Sequence, residues 1–229
     1  MRRLILTAIL LAAGQAASAD TIAIIGTGDV AGALGPEFAA QGHTIVYGSR
    51  NPDRDSVQEL VAKTGDGASS TTQTEAVVDA DIVVLAVPGM LVAKITESLG
   101  DLSGKIIIDP TNPMFRGDAG LEHAVDTSNA EIIQAVAPDA FVVKAFNTLN
   151  WRTMVEPDSS GGPVSIPLAG DSADAKETVA TLCRGMGLDP IDVGGVENAH
   201  WVEGMLILWI NNRYTSDRDS FDFYLRRTP

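Results

Sequence analysis

The stretch Thr21–Arg54, TIAIIGTGDVAGALGPEFAAQGHTIVYGSRNPDR, decides the fold of this chain. It begins with an apolar run, Ile22–Ile25, which predicts a buried strand, and the glycine turn Gly26–Gly28 follows at once. A helical pattern comes next, and a second apolar run, Thr44–Tyr47, completes a strand–turn–helix–strand unit. Such a unit suits a dinucleotide, because glycine permits a sharp turn close to a pyrophosphate and the helix directs its free N–H groups towards it.

The residues after the second strand favour NADP(H) over NAD(H). Chains that bind NAD usually place Asp or Glu here to bind the ribose hydroxyls, whereas this chain has Gly48, Ser49 and Arg50, with Arg54 soon after. A guanidinium group binds phosphate through paired, charge-assisted hydrogen bonds. We therefore expect Ser49, Arg50 and Arg54 to surround the 2′-phosphate. The competing interpretation is that they are ordinary solvated loop residues.

The rest of the chain alternates strand and helix patterns. This predicts an α/β fold of the Rossmann type, a doubly wound, mostly parallel sheet with a short α/β-to-helical C-terminal extension. We divide the chain into a leader (1–19), an NADP-binding domain (20–160) and a small extension (161–229) that completes the fold and offers a dimer contact. Two segments, Met114–Thr127 and Asn150–Gly162, are predicted to be loops.

Five pieces of the sequence, in this order, resemble the NADPH-dependent reductases of the deazaflavin coenzyme F-420 (F420 below). The nucleotide-binding domain of transmembrane ferric reductases is similar too. The pieces are IIGTGDVAGAL (24–34), VYGSRNPDR (46–54), VVLAVPG (83–89), IIIDPTNP (106–113) and VVKAFNTLN (142–150). A weaker likeness continues in FDFYLRR (221–227). Any one piece is unspecific, but the ordered set is specific to the family.

The resemblance assigns the pyrophosphate to the glycine turn and the first turn of the helix. The residues concerned are Gly26, Thr27, Gly28, Asp29 and Val30. Where the family often has glycine, this chain has Ala31, which is still small enough for close packing of helix against strand. We therefore expect the departure to leave binding intact.

The resemblance assigns the 2′-phosphate to the same Ser49, Arg50 and Arg54 that the strand end suggests. It places the nicotinamide half of the cofactor along three further residues, Val87, Pro88 and Ala145. The implied cofactor is NADP, with F420 or a flavin as the hydride acceptor.

A hydride can pass directly from nicotinamide to a flavin-type ring when the two stack closely, so positioning supplies most of the catalysis. We therefore expect an NADP(H)-dependent oxidoreductase with a flavin or F420-like acceptor, no catalytic side chain, and Asn147 as a positioning residue. Two alternatives stay open. One is a small dehydrogenase or reductase of the 3-hydroxyacid or pyrroline-carboxylate type, and the other is a non-catalytic NADP-binding redox-sensing module. The 3-hydroxyacid enzymes carry a catalytic lysine in a long helical domain, whereas only about eighty residues follow Asn147.

Ligands of such folds bind at the carboxyl ends of the strands. Asn112 and Asn147 follow two predicted strands there, and their amides could orient a ring, although Asn is also a turn residue. We expect Asp109 to cap a turn and Lys144 to extend its side chain towards solvent.

Histidine and cysteine are sparse. His43, His123 and His200 are not spaced like metal ligands, so we predict no metal site. Cys183 is the only cysteine and lies in a helical pattern beside an apolar residue, which predicts a buried, unreactive thiol.

The last predicted helix has a wide apolar face, which the core or a second subunit must cover. The apolar positions are Trp201, Val202, Met205, Leu206, Leu208 and Trp209. Together with the family resemblance, this pattern predicts a homodimer.

The first nineteen residues read as an export signal. A short basic start with Arg2 and Arg3 precedes an apolar stretch, Leu4–Ala13, and a small-residue cleavage site, Ala17–Ala19. We expect cleavage, a periplasmic location and no stable membrane insertion afterwards. An uncleaved anchor is the alternative, and the Sec and twin-arginine routes both stay open.

Cleavage removes two arginines and no acid, so the net charge goes from −14 to −16. Such a charge disfavours nucleic acid as a partner and leaves a small-molecule electron acceptor as the expected one.

Overall fold

A parallel sheet of six strands forms the centre of the molecule, in the order β3-β2-β1-β4-β5-β8. The structure is a computed structural model that describes residues 19–118, 120–124, 126–215 and 221–229. The six strands are β1 (Thr21–Ile25), β2 (Thr44–Ser49), β3 (Ala68–Thr72), β4 (Ile82–Leu85), β5 (Ile106–Asp109) and β8 (Phe141–Lys144). The order reverses direction at β1, which opens a crevice beyond the carboxyl ends of β1 and β4. The predicted doubly wound α/β fold is confirmed.

Helices cover both faces of this sheet. They are α1 (Asp29–Ala40), α2 (Asp55–Thr64), α3 (Gln73–Ala76), α4 (Val92–Ser98), α5 (Asn129–Val136), α6 (Trp151–Val155), α7 (Ala173–Gly185) and α8 (Ala199–Thr215). Three 3-10 turns, Gly89–Leu91, Pro157–Ser160 and Val196–Asn198, connect them to neighbouring segments. Side chains alternate along β1, so that Ile22 and Ile24 belong to the core under α1 while Ala23 and Ile25 belong to the core under α5.

Two short strands extend the fold beyond β8. Strand β9 (Ser165–Leu168) pairs in parallel with β10 (Asp189–Asp192), and helix α7 crosses between them. A single antiparallel bridge between Lys144 and Ala169 attaches this pair to the main sheet. The C-terminal part of the chain therefore continues the α/β pattern.

Both predicted loops contain regular structure, so those two predictions are wrong. Met114–Thr127 contains a hairpin of β6 (Met114–Gly117) and β7 (Gly120–His123). Asn150–Gly162 contains α6 and a 3-10 turn. The Asn150 side chain accepts a hydrogen bond from the Arg152 backbone N–H, which caps the start of α6.

The last helix, α8, divides its apolar residues between the core and the surface. Val202, Leu206 and Trp209 are buried, whereas Trp201 is 70% exposed and Leu208 is 60% exposed. Among the described residues, no helix combines the length and the apolarity that a membrane crossing needs. The predicted leader lies outside the described residues, apart from Ala19.

Candidate cofactor site

The turn between β1 and α1 needs glycine at its first position. Gly26 has φ +110°, and a Cβ atom there would lie 2.1 Å from the carbonyl oxygen of Ala86. At Gly28, in contrast, a Cβ would meet no protein atom within 4 Å. Gly28 therefore leaves open space at the start of α1, and no side chain caps the N–H groups of the first turn. Open space and uncapped N–H groups suit a pyrophosphate.

Helix α1 packs very closely against β2. Ala31 is completely buried, and a Cβ at Gly35 would lie 1.8 Å from the hydroxyl oxygen of Tyr47. That hydroxyl is 2.7 Å from the Thr64 hydroxyl at the end of α2. In dinucleotide-binding folds, the third glycine of the turn motif lets the helix pack closely against the sheet. Ala31 and Gly35 allow the same close packing in this protein.

The structure brings the predicted 2′-phosphate residues to the edge of the same turn. Ser49 ends β2, Arg50 follows it at the surface, and Arg54 precedes α2. A guanidinium nitrogen of Arg54 lies 3.3 Å from the Thr27 hydroxyl oxygen. Among the described residues, the ion pairs include neither arginine. Two unpaired cations on an acidic protein fit a bound phosphate.

The predicted nicotinamide residues lie at the carboxyl ends of β4 and β8. Val87 is half-buried and Pro88 is exposed, whereas Ala145 has no exposed surface. The next residue after Ala145, Phe146, has φ +64°, and no other non-glycine residue among those described has a positive φ. Such strained backbone is often found at functional sites.

Asn147 joins three segments at this end of the site. Its Nδ2 donates to Asn112 Oδ1 at 3.0 Å and to the Val202 carbonyl at 3.2 Å, while Asn112 Nδ2 donates to the Asn147 carbonyl at 3.3 Å. The Asn147 Oδ1 is buried and has no hydrogen-bond partner, and no other buried side-chain oxygen or nitrogen of the described residues lacks one. A buried amide oxygen without a partner costs about 1–3 kcal/mol, so it marks a position where a ligand donor fits.

A cluster of three buried charges lies beneath these loops. Lys144 Nζ donates to Asp109 Oδ2 at 2.8 Å and to Glu203 Oε1 at 2.6 Å, and none of the three residues has exposed surface. The expectation that Lys144 extends towards solvent is therefore wrong, because both carboxylates hold it inside. The expectation that Asp109 caps a turn is confirmed, since its Oδ1 accepts from the backbone N–H of Thr111 at 2.8 Å.

Glu203 was not singled out from the sequence. A signal was present, since it is an acid inside the apolar run of the last helix. Desolvation by burial raises the pKa of its carboxyl group, and nearby Asp109 adds to the rise, while Lys144 opposes it. Such a carboxyl group is a common feature of functional sites.

His123 extends the cluster to the surface. Its Nε2 lies 2.9 Å from Glu203 Oε2, and its ring, which is 17% exposed, packs edge-on against His200 at 4.8 Å. The His200 Nδ1 lies 2.7 Å from the Thr127 carbonyl oxygen. Among the described residues, no group of three or more His, Cys, Asp or Glu side chains is arranged to hold a metal ion.

Comparison with known proteins identifies the family. The family model described as NADP oxidoreductase, coenzyme F420-dependent, matches residues 21–113. The F420-dependent NADP reductase of Methanothermobacter thermautotrophicus is 30% identical over 207 residues, which cover 83% of this chain and 88% of that protein. A crystal structure from Arthrobacter sp. FB24, described as an F420-dependent NADP reductase, superposes with a TM-score of 0.80 at 30% identity and covers 91% of this chain and 100% of that one.

The chain therefore belongs to the family of coenzyme F420-dependent NADP oxidoreductases, and it is an NADP-dependent oxidoreductase. It is also similar to the metalloreductase STEAP3 of Rattus norvegicus, with 33% identity over 188 residues. That match covers 82% of this chain but 36% of STEAP3, so the chain spans about a third of the length of this relative. Both resemblances predicted from the sequence are confirmed.

Proposed function

We propose that this protein transfers a hydride between NADP(H) and a flavin or deazaflavin acceptor of the F420 kind. The observation that carries this proposal is that the charged side chains beneath the carboxyl ends of β5 and β8 are buried and paired with one another. Asp109, Lys144 and Glu203 are fully buried and bonded to one another, so Lys144 does not face a substrate as a proton donor. Direct hydride transfer to a stacked ring requires no such donor, whereas reduction of a ketone does.

The residues of the candidate site have distinct tasks in this proposal. The uncapped start of α1 binds the pyrophosphate, and Arg50 and Arg54 bind the 2′-phosphate. The unpaired Oδ1 of Asn147 accepts a hydrogen bond from a carboxamide N–H. When bound, NADPH supplies the hydride, and these contacts fix its orientation.

We place the acceptor in a cavity that is lined by Thr148 and Leu149, the two residues that follow Asn147 in the sequence. The cavity has a volume of about 430 Å³, within the range of small-molecule sites. Thr148 and Leu149 line one side, and the aromatic side chains of Phe221, Phe223 and Tyr224 line another. Aromatic side chains favour a flat ring system by stacking, which is the shape of a flavin or deazaflavin.

An anaerobic acceptor screen tests this proposal. The purified protein is mixed with NADPH and, in separate reactions, with F420, FMN, FAD or riboflavin, and the loss of NADPH absorbance is followed. We expect rapid oxidation with at least one of them. Failure with all four, at saturating NADPH, would contradict the proposed acceptor class.

A cavity-filling variant tests the place of the acceptor. We expect Leu149→Trp to raise the KM for the acceptor about tenfold or more while the Kd for NADPH changes little, because the added ring occupies the cavity. Val78→Trp is the matched control, since Val78 is 67% exposed and does not line the cavity. Equal behaviour of the two variants would place the acceptor elsewhere.

We propose further that segment 161–229 contributes a homodimer contact through the exposed half of α8. Trp201 and Leu208 lie seven residues apart on one face of α8, with Met205 between them, and both side chains are largely exposed. Trp201→Glu is expected to shift the mass measured by light scattering from dimer to monomer. A monomeric wild-type protein would contradict this proposal.

We also propose that residues 1–19 form a cleaved export signal and that the mature protein, with a net charge of −16, is periplasmic. Mass spectrometry of protein from the periplasmic fraction should give a chain that starts at Asp20. Retention of the intact leader in a membrane fraction would favour the uncleaved anchor, and export that continues when the twin-arginine route is blocked would favour Sec.

A further inference from the structure

The buried cluster of Asp109, Lys144 and Glu203 is the least expected feature of this fold. Its members come from β5, β8 and α8, and none has exposed surface. All three ammonium hydrogens of Lys144 have acceptors, because its Nζ also donates to the Thr111 carbonyl at 2.5 Å. The cluster is therefore a fully bonded unit rather than a chance contact.

Hydrogen bonds connect this cluster to the turn that follows Val87 and Pro88. Asp109 Oδ1 accepts from the Thr111 hydroxyl at 2.7 Å, and that hydroxyl oxygen accepts from Asn129 Nδ2 at 2.7 Å. The same amide group also donates to the Gly89 carbonyl at 3.1 Å. The chain of bonds thus runs from the cluster to the loop assigned to the nicotinamide half.

A second connection runs to Asn147 through α8. Glu203 Oε1 accepts from the backbone N–H of Asn129 at 2.9 Å, and the neighbouring Val202 carbonyl accepts from Asn147 Nδ2 at 3.2 Å. A Cβ at Gly89 would lie 2.0 Å from the Asn112 carbonyl oxygen, so the two loops are in direct contact. The cluster therefore lies directly behind both loops.

Stability alone gives no reason for charges at this place. Buried ion pairs can often be replaced by apolar residues without loss of stability, since desolvation offsets the attraction. Departures from a plain apolar core tend to occur at functional sites. With both carboxylates ionised and Lys144 protonated, the cluster carries one excess negative charge.

We propose that this excess charge tunes the redox preference of the bound nicotinamide, with Lys144 as the residue that positions the two carboxylates. Hydride donation changes the nicotinamide ring from neutral to cationic and carries both electrons to the acceptor. A negative charge behind the loops stabilises the cationic form relative to the neutral one. The cluster thereby favours NADPH as hydride donor; this inference rests on the proposed function.

One proton cancels the effect. The described charged groups that face Glu203 are Asp109 from β5, Lys144 from β8 and His123 from β7, while His200 packs against His123. A proton taken up by Glu203, whose pKa is raised by burial, brings the charge of the cluster to zero. The preference for the oxidised cofactor therefore falls as the pH falls.

The test compares the affinities for NADP+ and NADPH, measured by calorimetry without any acceptor, in wild type and Glu203→Gln at about pH 8. The glutamine keeps an oxygen for Lys144 and for the Asn129 N–H but carries no charge. We expect the ratio of the two Kd values to shift about fivefold in favour of NADPH. Glu97→Gln is the control, because Glu97 is exposed on α4 outside the cluster, and it should leave the ratio unchanged.

An unchanged ratio, or equal weakening of both forms, would overturn the inference and leave the cluster with a structural role. If the variant does not fold, the same ratio is measured on wild type from about pH 6 to about pH 8.5. The 2′-phosphate and its arginines are common to both forms of the cofactor, so their titration cancels in the ratio. A ratio that does not depend on pH would also overturn the inference, whereas failure of the acceptor screen alone would not.

Discussion

The phosphate end of the site is built from one contiguous stretch, residues 26–54, whereas the nicotinamide end is assembled from distant segments. At the first end lie a glycine turn, a helix start without a side-chain cap and two exposed arginines, which we propose bind the phosphates. At the second, Lys144 contacts Asp109, 35 residues earlier, and Glu203, 59 residues later. The arginines of the first end are exposed, whereas the three charged residues beneath the second end are fully buried and hydrogen-bonded to one another.

Substitutions at the two ends are therefore expected to have different effects on ligand binding and on stability. Removing the Arg50 or the Arg54 side chain at the phosphate end is expected to weaken ligand binding but to leave the fold intact, because both side chains are exposed. Removing one at the nicotinamide end leaves buried charges without partners, which costs stability first. The following predictions test that contrast.

The largest expected effect belongs to Lys144→Met. The substitution leaves Asp109 and Glu203 buried together without a cation, and loss of one partner of a buried pair costs about 3–5 kcal/mol. Urea unfolding measures this change in the free energy of unfolding. Arg184→Met is the control, since the Arg184–Glu177 pair is exposed and such pairs contribute about 1 kcal/mol or less. Equal losses in the free energy of unfolding of the two variants would contradict the expected difference between the buried and the exposed ion pair.

Two glycine variants separate folding from binding at the phosphate end. Gly26→Ala is expected to destabilise the protein by about 2–4 kcal/mol, because a Cβ there clashes with the Ala86 carbonyl and φ is +110°. Gly28→Ala is expected to change stability by about 1 kcal/mol or less, since its Cβ meets no protein atom, yet to weaken NADPH binding strongly. Unfolding curves and NADPH titrations of both variants decide this, and normal NADPH binding by Gly28→Ala would contradict the assignment of the turn.

A smaller effect is expected from the titration of Glu203. Because burial raises the pKa of Glu203 in the folded protein above that in the unfolded chain, its contribution to stability is full below the unfolded pKa and is lost as the pH rises through the folded pKa. The stability of Glu203→Gln relative to wild type should therefore increase as the pH rises from about 4.5 to about 7. Chemical unfolding at several pH values measures the difference, and a decrease with rising pH would mean that the folded pKa is lowered instead.

The contrast between the two ends also explains what the sequence could predict. The strand–turn–helix–strand unit is a local pattern, and the structure has β1, the glycine turn, α1 and β2 where the sequence predicts them. Arg54 lies 3.3 Å from Thr27 in that turn, while the phosphate-binding roles of these residues stay predictions. The doubly wound sheet followed from apolar runs such as β4, whose four residues are all buried. Local patterns of this kind predict the structure correctly because the strand or helix they encode does not depend on contacts with distant residues.

Other features depend on distant partners and were missed. Each strand of the β6–β7 hairpin has only four residues, and the Asn211 side chain of α8 makes two hydrogen bonds with the Leu121 backbone of β7. Helix α6 has five residues, too few for a periodic pattern. Lys144 looks like an ordinary strand-end lysine until the fold brings Glu203 to it. No spacing rule connects those two positions.

The preference between NADPH and NADH is the most direct test of the proposal that the arginines after β2 bind the 2′-phosphate. Fluorescence titrations of the purified protein with each cofactor are compared for wild type and Arg50→Ala. We predict tight NADPH binding and weak NADH binding by wild type, with the preference reduced about tenfold or more in the variant, because the proposed partner of Arg50 is the 2′-phosphate that NADH lacks. Equal affinity of wild type for both cofactors, or a preference that survives in Arg50→Ala, would contradict the assignment of the phosphate end.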